Sequence, residues 1–173
     1  GHSMGGTIVA LLAATRPPDV RGLVLSAPAC RIGDRVFPLL RRLAAFFSLV
    51  LPRLRLVPMS FKRLSRDPEV VDHFKRDPLV FHGRFPARSG AEILRAADRV
   101  EGQMEAIRLP ILVLHGTGDT VTDREGSRRL CDRAGSTDKT LKLYDGLYHD
   151  LLHEPEKEQV TADVIEWLGA RRS

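Results

Sequence analysis

The chain has 173 residues, 43% hydrophobic and 28% charged, with a formal net charge of +5, an ordinary balance for one soluble globular domain. Its sequence pI of about 9.7 invites a nucleic-acid reading, but the excess is local: residues 29–88 hold 13 Arg and Lys against 5 Asp and Glu, and the remainder is net acidic. No basic motif interleaved with aromatics of the RNA-binding type occurs, so no nucleic-acid partner is expected.

The sequence opens on GHSMGG with no initiating methionine. A turn of that kind needs a strand to hang from, so the expectation is a piece of a longer protein. Residues 7–15 are apolar and alanine-rich and predict a buried helix, closed by Arg16, Pro17 and Pro18. Residues 22–26 predict a strand buried on both faces, and residues 111–115 repeat that pattern after Pro110. Residues 140–144 alternate and predict an edge strand. Helical spacing covers 123–134, and apolar Val160, Val164, Ile165 and Leu168 predict an amphipathic final helix over 156–168. Strands alternating with helices indicate a mostly parallel sheet covered on both faces, an α/β fold.

Residues 29–103 break this rhythm. They hold an apolar helix candidate at 37–51, a proline-punctuated link at Pro52 and Pro58, and short helices near 68–75 and 90–100. No clear buried strand is present. The segment reads as an inserted helical cap, with residues 1–28 and 104–173 forming the core. Neither repeats nor low-complexity tracts occur. The longest apolar run, 36–51, carries Arg41 and Arg42 and falls short of a membrane span. Cys30 and Cys131 form no CxxC and predict neither a zinc site nor a disulfide framework.

Gly1-His2-Ser3-Met4-Gly5 matches G-x-S-x-G, a strand-to-helix turn that projects a serine hydroxyl over the sheet edge. The strained turn brings residues on either side of the serine into close contact, so both glycines are expected to be required. The Met4 N–H, at the start of the following helix, can face a developing oxyanion. A serine needs a base within hydrogen-bond reach. His2 lies inside the turn and cannot reach around to Ser3. His73 and His82 fall in the cap, and His115 ends a strand and reads as structural. His149 follows the third strand at its C-terminal end and is preferred. His153 is the rival, with a solvated acid-paired histidine as its plain alternative. Asp119, in HGTGD just beyond a buried strand, is the acid that would orient the imidazole. Asp123 better suits a helix N-cap. The order Ser3, Asp119, His149 is that expected of an α/β-hydrolase.

GHSMGG, LVLSAP, RDPLVFHGR, PILVLHGTGD and DKTLKLYDGLYHDLLHEPE, with the closing helix, resemble the monoacylglycerol lipase and lysophospholipase group of α/β-hydrolases over essentially the whole chain. The likeness to bacterial monoacylglycerol lipases is the nearest, partly through SRDPEVVDHFKRDPLVFHGR. The resemblance implies Ser3 as nucleophile, Asp119 as acid and His149 as base, in agreement with the reading from the residues. It also implies a cap that forms the mouth of an acyl-chain tunnel and docks on membranes, and a small lipid ester as substrate. The second oxyanion donor in that group comes from a His-Gly loop well before the nucleophile. His82-Gly83 and His115-Gly116 both follow Ser3 and cannot stand in for it. Residues 1–173 alone are therefore expected to be inactive and poorly soluble. No cofactor or metal is expected, and the location is cytoplasmic or peripheral to a membrane. Two readings stay open: a hydrolase of another ester, thioester or peptide bond, since the same triad serves all three, and a non-catalytic hydrolase-like binding domain.

Overall fold

A computed structural model describes residues 1–31, 46–58 and 61–171. Its main sheet is three-stranded and parallel, in the order β1 (Leu23–Ser26), β4 (Ile111–Gly116), β5 (Lys139–Tyr144). Register pairs Leu23 with Ile111 and Ile111 with Lys139. On the far side of β1, His2 bridges Ser26 in parallel, so the first two residues lie beside β1 as a strand stub. They lead directly into α1 (Ser3–Thr15).

β4 is buried at every position because apolar side chains leave it on both faces. Ile111 and Val113 pack with Ala10 and Ala13 of α1 and with Leu130 and Cys131 of α4 (Arg124–Arg133). Leu112 and Leu114 pack on the other face with Leu151 and with Val160 and Trp167 of α5 (Lys157–Gly169). Helices thus cover both faces, as the run of apolar residues in β4 requires. β5 is the outer member of the three and carries Lys139 and Lys142, charges of the kind that discourage edge pairing. Both cysteines are free and buried, and burial pushes the Cys30 thiol up to about 12.

The segment between β1 and β4 differs in part from the sequence expectation. α2 (Pro68–Arg76) starts where a Pro after a capping Asp predicts: Asp67 accepts from the Glu69 N–H at 2.9 Å. α3 (Ala87–Glu101) begins before the expected 90–100. It packs against α1 and delivers Val100 into the main core, so it is shared between insertion and core. A two-stranded antiparallel ribbon, β2 (Arg55–Pro58) with β3 (Arg84–Pro86), was not expected. It is short, rich in Pro and Arg, and not a buried apolar run, so it carries no alternation signal. Of the helix expected over 37–51, residues 46–50 are helical, and 37–45 lie outside the described residues. Among the described residues no helix is long and apolar enough to cross a membrane.

Candidate active site

Ser3, Asp119 and His149 each follow the C-terminal end of a strand: the stub at 1–2, β4 and β5. In a parallel sheet those ends share one edge, which is where such sheets place reactive groups. Ser3 sits at φ 52°, in the left-handed region that a non-glycine residue occupies only under constraint. The constraint is visible around it. Gly1 donates to Val24 O and accepts from Ser26 N–H, and Ser3 O accepts from Ala29 N–H. A Cβ on Gly1 would stand 2.7 Å from Gly5 O, and one on Gly6 2.9 Å from the Pro28 side chain. Gly5 corrects the expectation of two required glycines around the serine. Among the described residues a Cβ there meets nothing within 4 Å, so their steric demand falls on Gly1 and Gly6. The first N–H groups of α1, Met4 among them, have no intrahelical acceptor and form a partial positive end.

The acid and the proposed base meet directly. His149 Nδ1 lies 2.8 Å from Asp119 Oδ2. A carboxylate only accepts, so Nδ1 carries the proton and Nε2 keeps its lone pair. The approach depends on close backbone packing. Gly118 N–H donates to Leu147 O at 2.9 Å, and a Cβ on Gly116 would lie 2.1 Å from that same oxygen. Any side chain at position 116 would push the 147–149 loop, and His149 with it, away from Asp119.

The Asp119 side chain is fully buried and fully engaged. Oδ1 accepts from the Val121 N–H at 2.6 Å and the Thr122 N–H at 3.1 Å. Oδ2 accepts from the Thr122 hydroxyl at 2.8 Å and lies 3.2 Å from His115 Nε2 as well as against His149. Burial alone would raise this carboxyl. Hydrogen bonds from His115, His149 and the Thr122 backbone outweigh burial and hold it well below the usual carboxylate range. From the sequence His115 reads as structural. It is buried, and with Nε2 facing Asp119 its Nδ1 accepts from the Ser127 hydroxyl at 2.7 Å. Its place at the end of an apolar run was the available signal, since a buried ring nitrogen needs a partner.

Sequence also missed the partner of His2. The ring does not reach Ser3. Its Nε2 donates to His149 O at 3.2 Å, and the two rings lie 4.7 Å apart. Burial first, and then the neighbouring His149, lower the His2 pKa and favour its neutral ring. Among the described residues Ser3 Oγ makes no hydrogen bond to His149. His2 is the link between the elbow and His149. The rivals stand elsewhere. His153 is more than half exposed and pairs with Asp150 at 2.9 Å, and Asp123 caps α4 through the Glu125 N–H. His82 faces Asp77 O and Phe61, and neither it nor His73 reaches the site. Among the described residues no group of His, Cys, Asp or Glu could hold a metal ion.

A parallel sheet with helices on both faces and a serine elbow at its C-terminal edge defines an α/β-hydrolase. Residues 1–156 match the profile of the family described as serine aminopeptidase, S33, and the chain belongs to that family. It is 39% identical over 168 residues to the monoacylglycerol lipase of Mycolicibacterium smegmatis, covering 97% of this chain and 60% of that protein. It is 38% identical over 176 residues to the monoglyceride lipase of Homo sapiens, covering 99% and 57%. The crystal structure of Paleococcus ferrophilus monoacylglycerol lipase aligns at a TM-score of 0.90 and 35% identity, covering 99% of this chain and 67% of that one. The chain is thus a monoacylglycerol-lipase-like α/β-hydrolase, as the motifs implied, and spans about three fifths of the length of the curated relatives it matches.

Proposed function

We propose that the protein cleaves the ester bond of monoacylglycerols or similar single-chain lipid esters, with Ser3 as nucleophile, His149 as base and Asp119 as its orienting acid. The observation that carries this reading is the buried 2.8 Å contact of His149 Nδ1 with Asp119, at the sheet edge from which the Ser3 elbow rises. As Ser3 Oγ attacks the ester carbonyl, its proton passes to His149 Nε2 and the Met4 N–H receives the oxyanion. The tetrahedral adduct expels the glycerol oxygen, which takes the proton from His149, and leaves an acyl-Ser3 ester. A water then repeats the sequence, giving its proton to His149 and releasing the fatty acid and the free hydroxyl. In this reading the second oxyanion donor is supplied from outside residues 1–173, and these residues alone are inactive.

The lipid assignment is supported by the likeness to monoacylglycerol lipases and by a mostly apolar groove of about 440 Å³ beside the elbow, lined by Met4, Thr7, Ile8, Phe85, Ile93 and Ala96 among others. An acyl chain buried there would bind through lost water contact, at ~25 cal/mol per Å². A second reading, a hydrolase of peptide or non-lipid ester bonds, is favoured by the family's description as serine aminopeptidases. Labelling of the complete gene product with a serine-reactive fluorophosphonate tests the triad, and an acyl-chain-length profile tests the substrate. We expect labelling to vanish in Ser3→Ala, to collapse in His149→Ala, and turnover to rise with chain length. Labelling that survives Ser3→Ala removes the nucleophile assignment, and turnover confined to short esters or peptides removes the lipase reading.

We assign the exposed apolar part of the insertion, around residues 46–55 and Leu79, as the surface that faces the lipid phase. Support comes from Phe46, Leu49, Val50, Leu51 and Leu54, all exposed and adjacent to Arg53 and Arg55, and from Leu79, which is 93% exposed. Apolar side chains flanked by cations suit an anionic membrane surface. The protein should bind phosphatidylserine-containing vesicles more tightly than neutral ones, and salt should weaken the difference. Binding indifferent to both would leave the arginines no part in docking.

A further inference from the structure

The peptide unit that joins His149 to Asp150 is held from two sides. Its carbonyl accepts from His2 in the elbow, and its N–H donates to Leu64 O in the insertion at 2.8 Å. Residues 64–67 then continue alongside 150–156. The Ser65 hydroxyl donates to His153 O at 2.7 Å. The Arg66 N–H donates to Glu154 Oε1 at 2.8 Å, and Arg66 Nε to Glu154 Oε2 at 2.5 Å. Arg66 Nη2 pairs in addition with Glu156. Ser65 Oγ also accepts from Asp67 N–H, and Asp67 caps α2. Phe74 of α2 meets the His153 ring edge-on at 5.8 Å.

Glu154 is the anomaly in this set. Its side chain is 0% exposed, it takes no part in the ester chemistry, and a buried carboxylate is costly unless its oxygens are satisfied. Both oxygens are engaged by one residue, Arg66, 88 positions away in another segment. Such a contact fixes register between two segments, unlike an exposed ion pair. Since the loop it fixes begins at His149, the placement of the imidazole depends on where the insertion sits.

We propose that Arg66 and Glu154 are positioning residues that lock the His149 loop to residues 64–76 of the insertion, so that cap and base move together. The proposal rests on the Ser3–Asp119–His149 reading. It makes the insertion more than a cover: displacing it would carry the base away from the elbow.

The test uses the complete gene product, a soluble p-nitrophenyl ester and the variants Arg66→Ala, Glu154→Gln, the double variant, Arg66→Lys and a control, Lys75→Ala, which breaks an exposed pair with Asp72 on α2. Thermal melts establish that each is folded at the assay temperature. Because the lock sets geometry and not affinity, each single variant should lose about tenfold or more in kcat with KM moving less than about twofold. The double variant should lose no more than the worse single, since both remove one link. Arg66→Lys should recover part of the loss, and Lys75→Ala should match wild type. The proposal is overturned if folded Arg66→Ala keeps kcat within about twofold, if the loss lies wholly in KM, or if the losses add. Should Glu154→Gln fail to fold, Arg66→Ala decides alone, its side chain being 33% exposed. A wild-type protein inert to both ester and fluorophosphonate defeats the catalytic reading itself, whereas an active wild type with indifferent variants defeats only the lock.

Discussion

On the Asp119–His149 side of the site, packing is tight and hydrogen bonds are saturated. The acid's side chain is 0% exposed and the imidazole's 3%, both carboxylate oxygens are engaged, and Gly116 touches the loop of its partner. The elbow side is open. Met4, Ile8 and Leu12 present apolar side chains that are 46%, 55% and 43% exposed, and the space beyond Gly5 is unfilled by the described residues. The Asp119–His149 pair is therefore held by contacts among residues 115–149, completed by His2 at the His149 carbonyl and by Leu64 at the Asp150 N–H. Ser3, the proposed nucleophile, is held by backbone strain, and the described residues leave the surface around it open.

The sharpest way to break the comparison is Asp119→Asn, which keeps the shape of the closed side and removes its charge. The amide can donate to Nδ1 and stabilise the wrong tautomer, so kcat should fall by about 10³–10⁴-fold with KM little changed. A loss below about tenfold would mean that the Thr122 hydroxyl, 3.4 Å from His149 Nδ1, and the loop backbone hold the imidazole without the carboxylate. The same variant has an acid signature. The hydrogen bonds from His115, His149 and Thr122 hold the folded pKa of Asp119 below its unfolded value. Its ionised form thus stabilises the fold fully above about pH 4, and that contribution fades as pH falls toward the lowered folded pKa. In urea melts the gap between wild type and Asp119→Asn should therefore narrow between pH 7 and pH 3. A gap that is constant or widens in acid would contradict a depressed pKa.

The two sides also differ in how legible they were. GHSMGG and HGTGD stand out because a strained turn and a close backbone approach restrict residue choice locally, and the buried strands announce themselves by unbroken apolar runs such as ILVL. The pairings that complete the closed side are not local. His2 and His149 lie 147 positions apart and Arg66 and Glu154 lie 88 apart, so no periodicity records either contact. His115 was the partial exception, since a polar ring at the end of a buried strand implies a partner without naming it. The β2–β3 ribbon left no trace because Pro58, Arg84 and Pro86 look like linker chemistry.

The smallest effect is a matched pair of glycines, one on each side. Gly116→Ala sets a methyl 2.1 Å from Leu147 O, so the 147–149 loop must move. A cost of about 1–3 kcal/mol in urea melts and a fall in turnover are expected. Gly5→Ala adds the same methyl inside α1 where none of the described residues lies within 4 Å. Alanine is the better helix former, so the change should be neutral or stabilising by up to ~1 kcal/mol. The two outcomes are linked, because the chemistry of the substitution is identical and only the surroundings differ. If Gly5→Ala costs as much as Gly116→Ala in the complete gene product, the open side is filled there by another part of the protein.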